Sequence, residues 1–279
     1  MKKFLSGLII LLSFNSFAIS SMTNLEPGVT IYSEYYSNPK AKVPGTFIFF
    51  NGSGSDISVW KNKKLFDCVK NIGSVFFYDR NGIGKSPPDF KVSGKNPITA
   101  KLISDRLSLL LKKLQIKPPY LLVAHSHGAM YAGYFALKNP HLVKGMLLVD
   151  PMPYNCSFSN SILDNLDNGL KEIHTKSAKY IYKKYDASMV ESFYQIAGLN
   201  VTKQIISQLG SINKSIPVLI LSSKVMELKK PCEKDWYKGQ KLWLNQNPRS
   251  EITKVQSDHF IQLIKPELVC SKLRQILSD

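Results

Sequence analysis

Short apolar runs alternate with amphipathic segments along most of the chain. The runs Thr46–Phe50 (TFIFF) and Ser74–Tyr78 (SVFFY) predict buried strands, whereas leucine and isoleucine recur at helical spacing between Ile98 and Ile116. The same patterns predict strands at residues 29–36, 120–124, 145–149, 217–221 and 251–255, and helices around residues 60–69, 128–138, 236–244 and 268–277. This alternation indicates an α/β fold with a mostly parallel central sheet and helices on both faces, in which ligands bind at the carboxyl edge of the strands.

One internal segment departs from this alternation. Between Pro151 and about Ser215 the chain is polar, rich in Ser and Asn, and helical in pattern without a convincing strand. Because the segment leaves the fold at the edge where ligands bind, we expect residues 155–215 to form a helical cap over that edge. Residues 19–154 and 216–279 are then the two parts of the core.

The N-terminus has the features of an export signal. Lys2 and Lys3 precede an apolar run from Phe4 to Leu12, and small residues follow up to Ala18. This pattern predicts a signal peptide over residues 1–18, with cleavage just after Ala18 and a periplasmic or secreted product. The run is shorter than the roughly 20 residues that span a bilayer, which disfavours a membrane anchor.

The charge indicates a solvated, lysine-rich surface. The formal net charge is +17, and the arginines are only Arg80, Arg106, Arg249 and Arg274. Scattered lysine favours solubility and weak attraction to anionic envelope surfaces. A basic stripe interleaved with aromatic residues is lacking, so no nucleic-acid partner is predicted. The sequence does not indicate an oligomeric state.

The chain contains four cysteines, Cys68, Cys156, Cys232 and Cys270. No pair has C-x-x-C spacing and no histidines cluster near them, so neither a metal site nor a cofactor is predicted. An even number of cysteines in an exported protein suggests disulfides, for which the sequence leaves three connectivities open.

A candidate nucleophile lies at the end of a predicted central strand. Ala124-His125-Ser126-His127-Gly128 joins this strand to a helix in the pattern of a nucleophile elbow, with Ala in the first Gly position of G-x-S-x-G. The reversal strains the central residue, and its neighbours must be small so that one backbone segment passes close to another. The turn would hold the Ser126 hydroxyl at a helix N-terminus, where the N–H groups and the dipole stabilise a developing oxyanion.

Serine needs a neighbouring imidazole to accept its proton. His259 lies between the last predicted strand and the last predicted helix, at the same edge of the sheet, and is the candidate base. His141 follows a proline at a helix end, and His174 lies in the polar insertion. We expect the elbow to point the two histidines that flank Ser126 away from its hydroxyl.

Two acids are candidates to orient the imidazole. Asp150 ends the strand at residues 145–149, and Glu227 follows the strand at residues 217–221. We favour Asp150, because the chain after Leu221 lacks the Gly-x-x-Asp turn that often carries such an acid. Asp258 is adjacent to the histidine and is interpreted as a loop-stabilising residue.

An oxyanion hole requires two backbone N–H donors. One is expected from His127, directly after the nucleophile, and the other from Ser53 in the loop Asn51–Gly54 after the first buried strand. This loop lacks the Lys-Ser/Thr ending of a phosphate-binding loop, which argues against a nucleotide site.

With these residues placed, the chain resembles the α/β-hydrolase superfamily along nearly all of its mature length. The matching motifs are the strand end Phe49–Gly52, the Asp-Arg-x-Gly-x-Gly-x-Ser-like turn Tyr78–Ser86, the elbow Leu121–Gly128, the strand Gly145–Pro151 and the histidine loop with its closing helix, Asp258–Val269. The departures are Ala124 for Gly, Asn51 for His and the missing aspartate turn.

The resemblance implies an α/β-hydrolase fold with a helical cap. In this superfamily the acid follows either of the two strands named above, and in haloalkane-dehalogenase-like members it can lie where Asp150 lies. Those enzymes carry an aspartate nucleophile, so Ser126 argues against dehalogenation and epoxide opening. The resemblance also places Cys68 and Cys270 on one face of the sheet and Cys156 and Cys232 beside the cap, implying the pairs Cys68–Cys270 and Cys156–Cys232.

These expectations describe an exported serine hydrolase that cleaves a small-molecule or lipid-like carboxylic ester through an acyl-enzyme on Ser126. Amide, peptide, thioester or lactone substrates would use the same machinery, and a catalytically silent binding protein is the alternative from another class. A lyase or cofactor-free oxygenase is less favoured. Apolar cap residues that could line an acyl pocket are Phe158, Ile162, Leu163, Leu166, Tyr180, Tyr182, Phe193, Tyr194 and Ile196.

Overall fold

The computed structural model describes residues 17–41, 44–229, 231–233 and 235–278. Most of the predicted signal peptide therefore lies outside the described residues. In the part of the chain that is described, no helix has both the length and the apolar character needed to cross a bilayer.

In the described part of the chain, an eight-stranded sheet forms the centre of the fold. Its strands are β1 (Ala18–Glu26), β2 (Val29–Tyr36), β3 (Thr46–Phe50), β4 (Ser74–Tyr78), β5 (Tyr120–His125), β6 (Val143–Val149), β7 (Val218–Ser223) and β8 (Glu251–Val255). Their order in the sheet is β1-β2-β4-β3-β5-β6-β7-β8. Strands β3 to β8 pair in parallel, whereas β2 runs antiparallel to both β1 and β4. The prediction of a mostly parallel sheet is confirmed.

Helices connect the strands and cover both faces of the sheet. They are α1 (Lys63–Ile72), α2 (Ala100–Lys113), α3 (Gly128–Lys138), α4 (Asn160–Asp164), α5 (Asp167–Glu172), α6 (Ala178–Lys184), α7 (Ala187–Leu209), α8 (Lys224–Lys229), α9 (Trp236–Gln240), α10 (Ile261–Ile264) and α11 (Pro266–Leu277). Short 3₁₀ turns lie at Ile57–Trp60, Pro140–Leu142 and Lys241–Trp243.

Side-chain oxygens fix the start of helices α2 and α7. The Thr99 hydroxyl accepts a hydrogen bond from the Leu102 N–H at the start of α2, and the Asp186 carboxylate accepts from Ser188 and Met189 at the start of α7. Helix α7 ends at Gly210, whose φ of 84° lies in the left-handed region that glycine adopts without steric cost.

The two faces of the sheet are covered by different helices. Strand β3 shows the alternation: Ile48 and Phe50 pack with residues of α2 and α3, while Phe47 and Phe49 pack with residues of α1 and α11. Side chains of a strand point to opposite faces in turn, so a strand covered on both faces is apolar throughout. This explains the continuous apolar runs of the central strands.

Helices α4 to α7 all lie between β6 and β7, in the segment for which the sequence predicts a cap. Their apolar side chains join the core on the α2 and α3 side, and α7 contacts α3 directly. Phe193 and Tyr194, on α7, are completely buried.

Strand β1 and helix α8 are absent from the sequence-based prediction. Strand β1 is an edge strand whose side chains are mostly exposed, so it lacks the buried apolar run that predicts a strand. Helix α8 is short and none of its residues is buried, so it carries no apolar period. The predicted cleavage point, after Ala18, falls at the first residue of β1.

The four cysteines lie in two pairs at disulfide distance. Cys68 of α1 faces Cys270 of α11, with their Cα atoms 6.2 Å apart. Cys156 faces Cys232 with a Cα–Cα distance of 5.3 Å. These are the two pairs that the family resemblance implies. The Cys68–Cys270 pair links α1 to α11 on the same face of the sheet. The Cys156–Cys232 pair links the segment before α4 to the segment after α8.

We expect loss of either disulfide to destabilise the fold, because each closes a long loop of the unfolded chain. Replacing both partners of a pair by serine should lower the free energy of unfolding by roughly 2–5 kcal/mol, measured by denaturant titration. Residues 68 and 270 are 202 positions apart and residues 156 and 232 are 76 apart, so removing the first pair should cost more. Unchanged denaturation midpoints in both variants would contradict this.

Candidate active site

Ser126 lies at the sharp turn between β5 and α3. Its φ is 53°, in the left-handed region that a residue other than glycine rarely adopts. The end of β6 and the residues after it hold the turn: the Ser126 N–H donates to the Val149 carbonyl at 3.1 Å, and the Ser126 carbonyl accepts from the Met152 N–H at 3.0 Å. A β-carbon at Gly128 would lie 2.6 Å from the Phe50 carbonyl oxygen, so only glycine fits at this close backbone approach.

His259 lies on the loop between β8 and α10 and contacts Ser126 directly. Its Nε2 is 2.8 Å from the Ser126 Oγ, and its Nδ1 is 2.6 Å from Oδ2 of Asp150. In the tautomer with the proton on Nδ1, the ring donates to the carboxylate and Nε2 is free to accept the serine proton. The three side chains therefore form one continuous hydrogen-bonded chain.

Asp150 is completely buried at the end of β6. Its Oδ1 accepts three hydrogen bonds, from the Ser223 N–H at 3.0 Å, the Trp236 Nε1–H at 2.9 Å and Gln240 Nε2 at 2.9 Å. These donors replace the water that a buried carboxylate loses, and they leave Oδ2 to His259. The carboxylate is thus fixed in one orientation.

Glu227, the second candidate acid, lies elsewhere. Its carboxylate contacts Lys254 at 2.8 and 3.0 Å on the protein surface. Asp258 accepts the His259 N–H at 2.8 Å through Oδ1, in keeping with its interpretation as a loop-stabilising residue. Of the three acidic residues considered, Asp150 contacts the imidazole of His259.

The two histidines beside Ser126, His125 and His127, are both buried. Nε2 of His125 donates to the His259 carbonyl at 3.1 Å and so supports the histidine loop. Burial, reinforced by the nearby His259, holds the pKa of His125 well below its usual range. Burial, together with the positive charge of Arg80, lowers the pKa of His127 to about 3. Both rings are therefore neutral at physiological pH.

Ser53 and His127, the two residues predicted to supply oxyanion donors, line the cavity at Ser126. Among the described residues, neither the Ser53 N–H nor the His127 N–H donates to a protein acceptor. Ser53, His127, Ser126 and His259 line the same cavity. His127 directly precedes α3, so the positive end of that helix lies at the cavity.

The cavity has a volume of about 220 Å³ and a mainly apolar lining. Four residues of the predicted acyl pocket line it, together with methionine and tryptophan side chains outside that prediction: Phe158, Ile162, Leu166, Ile196, Met152, Met226 and Trp236. The other five predicted side chains do not line it; they are Leu163, Tyr180, Tyr182, Phe193 and Tyr194.

A larger depression of about 710 Å³ lies beside β1 and β2, lined by Asn38, Lys70 and other mostly polar residues. None of its lining residues belongs to the hydrogen-bonded set Ser126, His259 and Asp150, so we assign it no function. Within the described ranges, no group of three or more His, Cys, Asp or Glu side chains is arranged to hold a metal ion.

The sequence-based prediction missed the residues that hold Asp150. Trp236 and Gln240 are one helical turn apart on α9, so they present side chains to the same side, and this spacing is the only signal in the sequence. Ser223 acts through its backbone N–H, which no sequence pattern reveals.

Comparisons with known proteins agree with this architecture. Residues 45–196 match the family model described as alpha/beta hydrolase fold. The uncharacterized protein YqjL of Bacillus subtilis is 28% identical over 239 residues, which cover 82% of this chain and 85% of YqjL.

Two solved structures share the fold along almost the whole chain. Cfl2 from Burkholderia cenocepacia has a TM-score of 0.67 at 14% identity, covering 94% of this chain and 96% of its own. The haloalkane dehalogenase DatA from Agrobacterium tumefaciens has a TM-score of 0.62 at 15% identity, covering 92% of this chain and 94% of its own. Structural similarity at 14–15% sequence identity shows the fold alone.

The family match, which extends over more than half of the chain, establishes that this protein belongs to the α/β-hydrolase fold family.

Proposed function

We propose that the protein is a serine hydrolase that cleaves a carboxylic ester through an acyl-enzyme on Ser126. The observation that carries the proposal is the chain of contacts from Ser126 Oγ to His259 Nε2 at 2.8 Å and from His259 Nδ1 to Asp150 at 2.6 Å. An α/β-hydrolase fold supports a hydrolase, and these three side chains have the roles of a nucleophile, a base and an orienting acid.

In the first half of the reaction, Ser126 Oγ attacks the ester carbonyl carbon while its proton passes to Nε2 of His259. Asp150 keeps the proton of Nδ1 in place and stabilises the imidazolium that forms. His259 then gives its proton to the leaving alcohol as the carbon–oxygen bond breaks. Water, activated by the same nitrogen, releases the acid from Ser126 in the second half.

The negative charge that develops on the carbonyl oxygen requires donors that are already in place. Ser53 and His127 line the cavity, and among the described residues their backbone N–H groups have no protein acceptor. We propose that these two N–H groups receive the charge. The N-terminus of α3 adds the positive end of a helix dipole at the same point.

The cavity indicates the kind of acyl group. Its volume of about 220 Å³ is below the roughly 300–1,000 Å³ of pockets for larger ligands, and its lining is mainly apolar. These properties favour a short acyl chain, with residues 155–215 acting as the cap that limits its length.

We therefore expect acetyl and butyryl esters to be hydrolysed faster than long-chain esters when rates are measured across a series of chromogenic esters. Faster cleavage of the long-chain esters would contradict this preference.

An ester is favoured over a halide or an epoxide because the elbow carries serine. Amides, thioesters and lactones would react through the same side chains. A binding protein without catalysis would not require a serine that is hydrogen-bonded to a histidine, which is itself oriented by a buried carboxylate.

We also propose that the protein is exported. The basic and apolar N-terminal residues have the pattern of a signal peptide, and the two cysteine pairs at disulfide distance suit an oxidising compartment.

A fluorophosphonate probe tests the nucleophile. The folded protein should be labelled once, on the peptide that contains Ser126, and labelling should abolish hydrolysis of a chromogenic butyrate ester. Ser126→Ala should remove both labelling and turnover. The matched control is Ser192→Ala, which removes another cavity-lining hydroxyl and should leave the label on Ser126. An unlabelled but folded protein, or a label on another residue, would refute the serine mechanism.

Replacing the acid separates Asp150 from Glu227. Asp150→Asn should lower kcat by roughly 10³–10⁴-fold, because the amide no longer holds the proton on Nδ1 of His259. Glu227→Gln removes the same charge from an exposed ion pair and should keep near-wild-type kcat. Steady-state kinetics with a chromogenic ester measure both. A large loss in Glu227→Gln alone would show that the assignment of the acid is wrong.

A further inference from the structure

One face of α7 lies against the loop that carries Ser53. The face consists of residues one helical turn apart, Ser188, Glu191, Ser192 and Gln195. Each of them touches Ser53 or Gly54: Glu191 accepts the Gly54 N–H at 2.7 Å, Gln195 accepts from the Ser53 hydroxyl, and the Ser192 hydroxyl lies 3.1 Å from it. A β-carbon at Gly54 would lie 2.7 Å from the Ser188 Cβ.

Glu191 also forms a buried ion pair with Arg80. The two side chains are only 1% and 2% exposed, and two parallel contacts join them, Nε to Oε1 at 2.5 Å and Nη2 to Oε2 at 2.8 Å. Burial lowers the pKa of the Arg80 guanidinium, but the Glu191 carboxylate and, to a smaller extent, Tyr131 and Tyr78 raise it. The net effect is a raised pKa, so the group stays charged. Such a fork fixes the plane of the guanidinium as well as its position.

The remaining Arg80 donors reach the backbone of the loop. Nη1 donates to the Asn51 carbonyl at 2.8 Å, and Nη2 donates to the Gly52 carbonyl at 2.7 Å. The Gly52 carbonyl and the Ser53 N–H belong to the same peptide unit. Because a trans peptide is planar, the N–H points opposite to the carbonyl, and a cation held at the carbonyl fixes the direction of the N–H. The charge also polarises the peptide and strengthens the N–H as a donor.

We propose that α7, through Glu191 and Gln195, positions the Ser53 N–H as an oxyanion donor, so that the cap segment is part of the catalytic apparatus. Glu191 orients Arg80, Arg80 orients the Gly52–Ser53 peptide, and Gln195 holds the Ser53 side chain. This inference rests on the proposed function and adds to it three positioning residues, Glu191, Arg80 and Gln195, which act through the Ser53 loop.

Loss of this positioning should lower kcat. The oxyanion forms in both acylation and deacylation, so a misplaced Ser53 N–H slows whichever step limits turnover. Substrate binding depends mainly on the apolar cavity, so KM should change little. An ion pair that served folding alone would change thermal stability and leave kcat per folded molecule intact.

The test compares Glu191→Gln with Glu172→Gln in hydrolysis of a chromogenic butyrate ester. Both changes remove the charge of a glutamate between β6 and β7 that pairs with a cation, but Glu172 contacts Lys184 away from the Ser53 loop. Kinetics are measured well below each unfolding midpoint, with active sites counted by fluorophosphonate titration. We expect kcat of Glu191→Gln to fall roughly tenfold to hundredfold with KM within about threefold of wild type, and Glu172→Gln to match wild type.

Affinity for a trifluoromethyl ketone gives a second measurement. Ser126 Oγ adds to the ketone carbon, its proton passes to His259, and the carbonyl oxygen becomes an oxyanion in the proposed hole. Glu191→Gln should weaken this adduct by the same factor as kcat, whereas a change confined to stability would leave its affinity unaltered.

Gln195→Ala provides an independent variant, since it removes two neutral hydrogen bonds, with the Ser53 hydroxyl and with the Tyr131 hydroxyl, and leaves no buried charge unpaired. If Glu191→Gln does not fold, loss of kcat and of ketone affinity in Gln195→Ala supports the proposal. Wild-type kcat in every folded variant, or losses confined to KM, would overturn it while leaving the serine mechanism intact. A wild-type protein that neither hydrolyses the ester nor binds the ketone would overturn the proposed function and this inference together.

Discussion

The register between β5 and β6 is the constraint on which the site depends. His125 pairs with Val149, so the chain leaves both strands at the same height, and Ser126 and Asp150 emerge side by side at the carboxyl edge. Both residues have positive φ, 53° and 42°, which turns each chain sharply at the strand end. Cross-strand hydrogen bonds hold these turns: Ser126 N–H to Val149, and Asp150 N–H to the Leu221 carbonyl of β7. Three adjacent strands thus fix the serine and the carboxylate before any side chain is considered.

This arrangement buries one carboxylate and one ion pair, and each is compensated. Asp150 receives three donors and the imidazole, while Arg80 and Glu191 satisfy each other and the loop after β3. A buried charge that lost one of these partners would be strongly unfavourable, so both groups hold their neighbours firmly. The carboxylate orients the base of the proposed reaction, and the ion pair orients the loop that carries a proposed oxyanion donor.

The buried strands and the position of Ser126 could be predicted from the sequence, because the patterns that indicate them are local. The apolar runs of β3 to β7 mark strands buried on both faces, and the elbow motif marks Ser126. The choice of acid could not be settled in the same way. Asp150 and Glu227 both follow neighbouring strands, and the contacts that distinguish them come from Trp236 and Gln240, far along the chain.

The positioning role proposed for α7 was equally hidden. Glu191 meets Arg80 across 111 positions of sequence, and a single acidic residue in a helix carries no signal of its partner. Strand β1 was not predicted because it is an exposed edge strand, and such a strand needs no apolar pattern. Local sequence therefore predicts which elements form, whereas the contacts that orient the site arise only when distant elements pack.

The central claim is that catalysis passes through a covalent acyl group on Ser126. The most direct measurement is mass spectrometry of the protein after rapid acid quench during turnover of a butyrate ester, with peptide mapping of the adduct. The account predicts a mass increase of one butyryl group on the peptide containing Ser126, and none in Ser126→Ala. Turnover without any acylated peptide under conditions where deacylation limits the rate, or an acyl group on another residue, would contradict it.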